Sequence, residues 1–508
     1  MHRFTILHTF PAILLLTAPA MAQVGPDYER PALDATDRFK GVTWREANPS
    51  SHLPKGEWWT IFRDPALNGL VERASTNNQE IKAALARFDQ ARATARMTRA
   101  NLLPTIGVPL SGEQQRTSAN MPSAFPLDGL RYDGPAYNAL LDFGWEIDLW
   151  GKIRRGAEAE EANALAVADA VHNVLLGIQA EVASHYFQIR TLDGEIHLVR
   201  EAVALRGEAL KIARARVIAG AGSELEEAQS ETEVATAEAE ISQLRTQRDQ
   251  LENAIAILVG ANPSSFTVPV NAKSLPSPPR QPSALPTDLL ERRPDLAAAE
   301  RQLAAATARI GVAEAQYFPS VSLMGNGGFQ SGDIDLLFDP ASLMWSYGPK
   351  IRVPIFSGNK NRFNLSRSQA AHDEALARYR QTFLSAIAEV ETSLSMLRHL
   401  QSESASLQRA RTSAERAADL ARTRYESGTS PYLDVLSADR TALTTRLASV
   451  RVSGKRLIAT VSLIKAIGGG WEKAKTTDLP LTTPDPAARL NSEEGERGGF
   501  RKLFKRRE

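Results

Sequence analysis

The sequence predicts an α+β protein built of two tandem units, each with very long helices and a pair of short strands. Three observations lead to this: helical apolar spacing over long stretches, strand-like alternation in shorter ones, and repetition of both. Residues 150–220 contain no proline and are rich in good helix formers. Their apolar residues recur on average about every 3.5 positions, the coiled-coil repeat. This stripe comprises Val171, Leu175, Ile178, Val182, Tyr186, Ile189, Leu192, Ile196, Val199 and Val203.

A second long helix, opening at 356–360 and ending at Gly428, repeats the first at an offset of roughly 210 residues. Its stripe is Leu376, Tyr379, Phe383, Ile387, Val390, Leu394 and Leu397. Matched anchors are Pro104 with Pro319, Gly151 with Gly358, Gly220 with Gly428, and Gly260 with Gly468. The predicted division is a signal peptide 1–22, an N-terminal extended arm 23–66, a first repeat 67–264, a proline-rich linker 265–286, a second repeat 287–470 and a C-terminal tail 471–508.

Composition excludes several classes of function. The net charge is +1 over 508 residues, which gives no basic field for nucleic acid. The chain has no cysteine, so disulfides, thiol nucleophiles and thiolate metal sites are excluded. The eight histidines show no pair at metal-ligand spacing. We therefore predict no catalytic residues, no cofactor and no metal site, and hence a protein that is not an enzyme.

The first residues read as an export signal. A short apolar run at 12–18 precedes Ala20-Met21-Ala22, a small-x-small cleavage site before Gln23. No later segment has eighteen consecutive apolar residues, so we expect no transmembrane helix. Export without a helical anchor leaves a secreted, periplasmic or outer-membrane protein.

The helical elements follow in order. An irregular arm carries Trp44, Trp58 and Trp59 as docking points, and a single helix is predicted over 67–101. Return helices follow each long helix, the first over 224–258 with Ser223 as its N-cap. The basic end of the tail, 500–507, fits a solvated tail better than a contact with anionic lipid.

Strand periodicity appears around 106–110, at 137–150, at 320–329 and at 345–356. One face of each is apolar and rich in aromatic residues, and the other is mostly polar. This pattern fits a lipid-facing barrel strand or an ordinary half-buried hairpin. In lipid, four strands would leave two open edges, so several chains would have to close one barrel; the pattern fits two, three or four copies equally.

Several motifs together resemble those of one family. They are Val24-Gly25-Pro26-Asp27-Tyr28, Arg292-Arg293-Pro294-Asp295, Phe318-Pro319, Val353-Pro354-Ile355-Phe356-Ser357-Gly358 and Gly468-Gly469-Gly470-Trp471. In this order they resemble the TolC-type outer-membrane factors of efflux pumps, closest to the NodT-type subfamily. The resemblance covers about residues 24–471.

The resemblance implies a homotrimer in the outer membrane of a Gram-negative cell. Each chain would give four strands to one twelve-stranded barrel and its helices to a periplasmic tunnel. The implied function is a passive exit duct for drugs or other small molecules, gated at its periplasmic tip. Its partners would be a periplasmic adaptor (membrane fusion) protein and an inner-membrane pump. Most members of the subfamily carry a lipidated cysteine that this chain lacks, so we expect ordinary cleavage and no lipidation.

The candidate gate lies near the two tips. Glu226 and Asp434 each stand six residues after a tip glycine, and the resemblance implies a ring of carboxylates at the tunnel entrance. Tyr425 matches a tyrosine that helps to hold the closed state. The alternatives are helix-dipole acids for the carboxylates and plain coiled-coil packing for the tyrosine. Asp439 and Glu227 are weaker candidates.

In the family a basic residue just after the second tip glycine helps to hold the closed state, and Ser430 stands there in this chain. Arg422 or Arg424 is the expected substitute for it. A second acid of the family is replaced by Ser437. Adaptor contact is expected at Gly220, Ala221, Gly222, Gly428 and Thr429. A surface coiled coil of structural or adhesive type and a general porin are the competing functions. A coiled coil of that type has no need of turns at both glycines, and a porin would carry many more strands and few long helices.

Overall fold

The computed structural model describes residues 23–32, 57–116, 118, 133–272, 275–279 and 293–469. Within these ranges the helices are α1 (Pro65–Asn77), α2 (Gln79–Ala100), α3 (Lys152–Ile218), α4 (Glu224–Leu258), α5 (Pro294–Ala315), α6 (Lys360–Glu426) and α7 (Tyr432–Ala466). The strands are β1 (Thr105–Gly107), β2 (Leu110–Arg116), β3 (Asp133–Ile147), β4 (Ser320–Ser331) and β5 (Leu343–Arg352). The predicted signal peptide, Trp44 and the C-terminal tail lie outside the described residues.

The helices of the two repeats match in length. Helices α3 and α6 both have 67 residues, and α4 and α7 both have 35. The long helices begin 208 positions apart, at Lys152 and Lys360. At this offset Gly151 corresponds to Asn359 rather than to the predicted Gly358, and both residues precede their helix in the left-handed conformation.

The single helix predicted over 67–101 is wrong, because it is two helices that meet at Asn78. The Asn78 side chain accepts hydrogen bonds from the backbone N–H groups of Glu80 and Ile81, so it ends α1 and caps α2. Its amide nitrogen also donates to the Leu258 carbonyl at 2.8 Å. The apolar stripe continues through the break, which is why periodicity alone did not reveal it.

The N-terminal segment is docked against the start of α3. The buried Arg155 guanidinium donates to the carbonyls of Val24 and Gly25 and to the Asp27 carboxylate, the last at 2.7 Å. The predicted docking residues Trp58 and Trp59 are buried in the main apolar core.

The strands form one antiparallel sheet in the order β1/β2, β3, β4, β5. Strands β1 and β2 are separated at Val108 and Pro109, and both pair with β3, so the sheet is four strands wide. The last strand ends at Arg352, short of the predicted Phe356. Pro354 lies just beyond this end, and proline has no N–H with which to continue a ladder.

The register places the apolar residues on one face, because directly paired residues point to the same side. Phe143 pairs with Ile106 and Gly325, and Gly325 pairs with Tyr347. On the other face Asp142 pairs with Asn326, which pairs with Ser346 and accepts its hydroxyl hydrogen bond at 2.7 Å.

The apolar face has no cover within the described part of the chain. Trp345 is 69% exposed, Tyr347 79% and Ile351 64%. A half-buried hairpin would hide such residues, so this sheet does not fit that alternative.

The core runs instead along the helices, with α3 at its centre. Helix α3 also contains one 18-residue window that is long and apolar enough to cross a membrane. Half of that window is buried inside the protein, so packing against neighbouring helices accounts for its apolar character.

Candidate functional site at the two helical turns

The two long helices end in the same way. Gly220 and Gly428 both have a φ of +70°, a conformation that favours glycine. Ala221 donates its N–H to the Arg216 carbonyl and Thr429 to the Arg424 carbonyl, both at 2.9 Å. These bonds satisfy the last carbonyls of each helix, as in a Schellman motif.

Both turns project freely from the helices. The predicted contact residues Gly220, Ala221, Gly222, Gly428 and Thr429 are all exposed. A Cβ at either Gly220 or Gly428 would meet nothing within 4 Å. A partner could therefore reach both turns without displacing other parts of this chain.

Tyr425 joins the end of α6 to the end of α3. Its hydroxyl accepts a hydrogen bond from Nη1 of Arg216 at 2.7 Å. The Arg216 guanidinium also lies 5.6 Å from the centre of the Tyr425 ring, within cation–π range. The ring of Tyr432, the first residue of α7, is 5.4 Å away. Three of the four helices at the turns thus meet at one tyrosine.

The basic partner of Tyr425 is therefore Arg216, and the expectation of Arg422 or Arg424 is wrong. Arg422 instead binds the Asp439 carboxylate at 3.2 Å. Arg216 and Arg424 each stand four residues before a tip glycine, and that repeated spacing was the signal available in the sequence. It was missed because Arg216 belongs to the other repeat.

The two candidate gate acids occupy equivalent places. Glu226 and Asp434 are both the third residue of their return helix. Asp434 is exposed and accepts a short hydrogen bond from the Ser430 hydroxyl, while Glu226 is partly exposed. Ser430, which stands where a basic residue was expected, thus orients the candidate gate carboxylate.

The weaker candidates are both engaged in ion pairs within their own repeat. Glu227 accepts from Arg214 at 3.2 Å. Asp439 pairs with Arg422 and is partly buried, and this burial raises the pKa of Asp439 above the ordinary aspartate value.

A charged cavity of about 390 Å³ separates α3 from α6 and α7 on the strand side of the Arg216–Tyr425 contact. Its charged lining is Glu201, Arg206, Glu415, Asp419, Arg422, Asp439 and Arg446. Among the described residues, no group of three or more histidine, aspartate or glutamate side chains is arranged to hold a metal ion.

Comparison with known proteins gives one consistent result. Residues 70–261 and 285–469 match the outer membrane efflux protein family. The chain is 31% identical to outer membrane protein OprJ of Pseudomonas aeruginosa over 472 residues, covering 92% of this chain and 96% of that protein. It is 29% identical to the cation efflux system protein CusC of Escherichia coli over 467 residues, covering 91% and 98%.

Solved structures agree. The outer-membrane channel OprN superposes with a TM-score of 0.81 at 30% identity, covering 88% of this chain and 99% of that one. The CmeC outer membrane channel of Campylobacter jejuni superposes with a TM-score of 0.80 at 26% identity, covering 93% and 98%.

Proposed function

The chain belongs to the outer membrane efflux protein family, and on that premise we propose that its two helical turns form the gate of its channel. The protein is an outer-membrane channel component of an efflux pump, as its relatives are. The observation that carries the gate proposal is the Arg216–Tyr425 contact, which ties the two helix pairs together at their free end.

Three copies of the chain close the barrel in this proposal. The outer edges of β1/β2 and of β5 have no partner strand within the described chain, and lipid does not tolerate open edges. The exposed face with Trp345 and Tyr347 would meet lipid, and the face with Asp142 and Asn326 would line a wet lumen. The long helices would extend into the periplasm as the tunnel.

At rest, Arg216 and Tyr425 hold the turn of α6–α7 against α3, and Asp434 with Glu226 narrows the entrance. A periplasmic adaptor would engage Gly220, Ala221, Gly222, Gly428 and Thr429, which are exposed, and separate the pairs. The inner-membrane pump would supply the energy, and the duct itself would carry out no reaction. The pump would also select the transported molecule, because similar outer-membrane proteins belong to efflux systems named for cations, for solvents and for toluene.

Single-channel conductance of the purified trimer in planar bilayers tests the gate. Arg216→Ala removes both contacts to Tyr425, so we expect at least a two-fold rise in resting conductance. Arg424→Ala, at the equivalent place of the second turn, is the matched control and should leave it unchanged. Asp434→Ala should weaken cation preference. Unchanged conductance in Arg216→Ala would contradict closure by this contact.

Absence of lipidation is a separate part of the proposal. No cysteine exists in the chain to accept a lipid, and the mature protein would begin at Gln23. Intact-mass spectrometry of the protein from outer membranes should give the mass of residues 23–508 without an acyl group.

A further inference from the structure

Helices α3 and α7 run antiparallel and approach each other closely at two glycines. A Cβ added at Gly454 would lie 2.0 Å from Oγ1 and 3.1 Å from Cβ of Thr191. The Thr191 hydroxyl donates to the Phe187 carbonyl at 2.7 Å, so it is held in place. A Cβ at Gly194 would lie 3.2 Å from Cγ1 of Val450. We call this close approach the α3–α7 crossing.

The strand side of the crossing is dry and close-packed. Leu457 and Phe187 are completely buried there, and Val461 is 1% exposed, within the main apolar core. Close-packed interiors resist relative movement, because any shift opens voids or creates overlaps. Helix α7 is therefore fixed to α3 on this side.

The turn side of the crossing is less completely packed. Leu447 of α7 is still buried there, in one apolar cluster with Leu192 and Ile196 of α3. The charged cavity of about 390 Å³ opens between the same two helices, with α6 as its third wall. Beyond Leu447, toward the turn, the apolar packing of α7 against α3 gives way to this cavity, whose lining is partly charged and partly apolar. The cavity leaves room for this part of α7 to move toward or away from α3.

Three arginines of α7 bridge this side to the first helix pair. Arg451 pairs with Glu195 at 2.7 Å, Arg446 with Glu201 at 3.1 Å, and Arg440 with Glu233 of α4. Arg446 also lies 3.7 Å from the Glu415 carboxylate of α6. The arginine side chains are long and 33–60% exposed, so they can follow a moving helix without losing contact with water.

We propose that the α3–α7 crossing is the pivot about which the α6–α7 pair turns against the α3–α4 pair when the channel opens. The inference rests on the proposed gate and deepens it, because it locates the axis of the movement. The Arg216–Tyr425 contact lies at the turn, the end of the helices far from the crossing, so a small rotation about the crossing produces a large displacement there.

The crossing is not a by-product of the duplication. The positions equivalent to Gly454 and Gly194 at the 208-residue offset are Thr246 and Ser402, which both carry a Cβ. Glycine therefore stands at these two places only where α3 meets α7.

A disulfide tests the pivot directly, since the chain has no cysteine of its own. Thr191→Cys with Gly454→Cys places two Cβ atoms close to disulfide distance. In the Arg216→Ala background, the oxidised channel should conduct within two-fold of Arg216→Ala alone, because the bond holds the two helices together at the pivot and a pivot need not translate. In the same background, Glu201→Cys with Arg446→Cys, bridged by a short bis-maleimide, should lower conductance at least five-fold. Closure by the disulfide, or no closure by the bridge, would overturn the proposal.

A second test of the pivot adds a side chain at the crossing in a channel that keeps Arg216. Gly454→Ala should force α7 away from Thr191 and raise resting conductance at least two-fold, while Thr191→Ala alone should not. The resting conductance of the Gly454→Ala/Thr191→Ala double variant should lie between those of the two single variants. Gly194→Ala, with its milder overlap, replaces Gly454→Ala if that trimer does not assemble. An intact trimer with unchanged conductance would refute the pivot, whereas no channel in the wild type would refute the proposed function instead.

Discussion

The two long helices are equal in length and end in the same turn, yet their surroundings differ. Twenty-six residues of α3 are buried but ten of α6, although both span 67 residues. Helix α3 packs against α1, α2, α4, α5 and α7, whereas the main neighbours of α6 are α5 and α7. Duplication thus produced two helices of equal length with different surroundings: the first is enclosed by other helices of the chain, and the second leaves most of its surface open within the described chain.

The largest expected effect lies in the enclosed helix, α3. Phe187 of α3 is completely buried, with its ring 4.8 Å from that of Phe62. Phe187→Ala should lower the free energy of unfolding by about 3–5 kcal/mol. The equivalent α6 residue is the partly exposed Ser395, and Ser395→Ala should change it by less than about 0.5 kcal/mol. Urea titration of the trimer in detergent measures both; equal losses would remove the distinction between the helices.

A contact common to both repeats is made by different residues. Asn78 precedes α2 and donates to the carbonyl of Leu258, the last residue of α4. Arg293 precedes α5 and donates to the carbonyl of Ala466, the last residue of α7, at 2.9 Å, while also binding Asp295 and Glu389. Each side chain fastens a return helix to the helix before the strands of its own repeat.

These side chains should differ in their contribution to stability. Arg293→Ala leaves two carboxylates without their cation, and we expect a loss of about 2–3 kcal/mol, since Glu389 is partly exposed. Asn78→Ala removes a cap and one buried hydrogen bond, for about 1–2 kcal/mol. The same titration measures both. A larger loss from Asn78→Ala would mean that the Arg293 ion pairs contribute little.

The sequence predicts local features of both repeats well. The bounds predicted for α4 are those observed, because Ser223 and Gly260 mark its ends within a few residues. Features that depend on distant residues were missed. Arg216 contacts Tyr425 only after the two repeats have packed together, and the hydrogen bond that joins Asn78 to α4 links residues 180 positions apart.

Exposed apolar residues on α6 sharpen the comparison further. Leu384 is 59% exposed within the chain. If a neighbouring copy covers it, Leu384→Glu should reduce the trimer fraction several-fold in size-exclusion chromatography while leaving helical circular dichroism unchanged, because a buried charge is costly. Leu384→Met should assemble normally. A trimer that tolerates the glutamate would show that this part of α6 faces water or the lumen.

The smallest expected effect comes from one ion pair present in both repeats. Arg422 binds Asp439 at 3.2 Å, and at the equivalent place Arg214 binds Glu231, also at 3.2 Å. The side chain of Glu231 is 60% exposed and that of Asp439 24%. Burial raises the pKa of Asp439, opposed by Arg422 and Arg206 and assisted by Asp419. The folded protein therefore holds the Asp439 proton more tightly than the unfolded chain does.

Stability from this group is accordingly lost as pH rises through the raised pKa, and it is complete below the ordinary aspartate pKa. Wild type should gain stability relative to Asp439→Asn as pH falls from neutral through this window, by about 1 kcal/mol or less, the range of partly exposed pairs. Wild type should show no such gain relative to Glu231→Gln in that window, because the Glu231 carboxylate of the folded protein remains in water. Urea titrations at several pH values measure the two differences. Parallel curves for the two variants would mean that the difference in burial between Asp439 and Glu231 has no effect on stability.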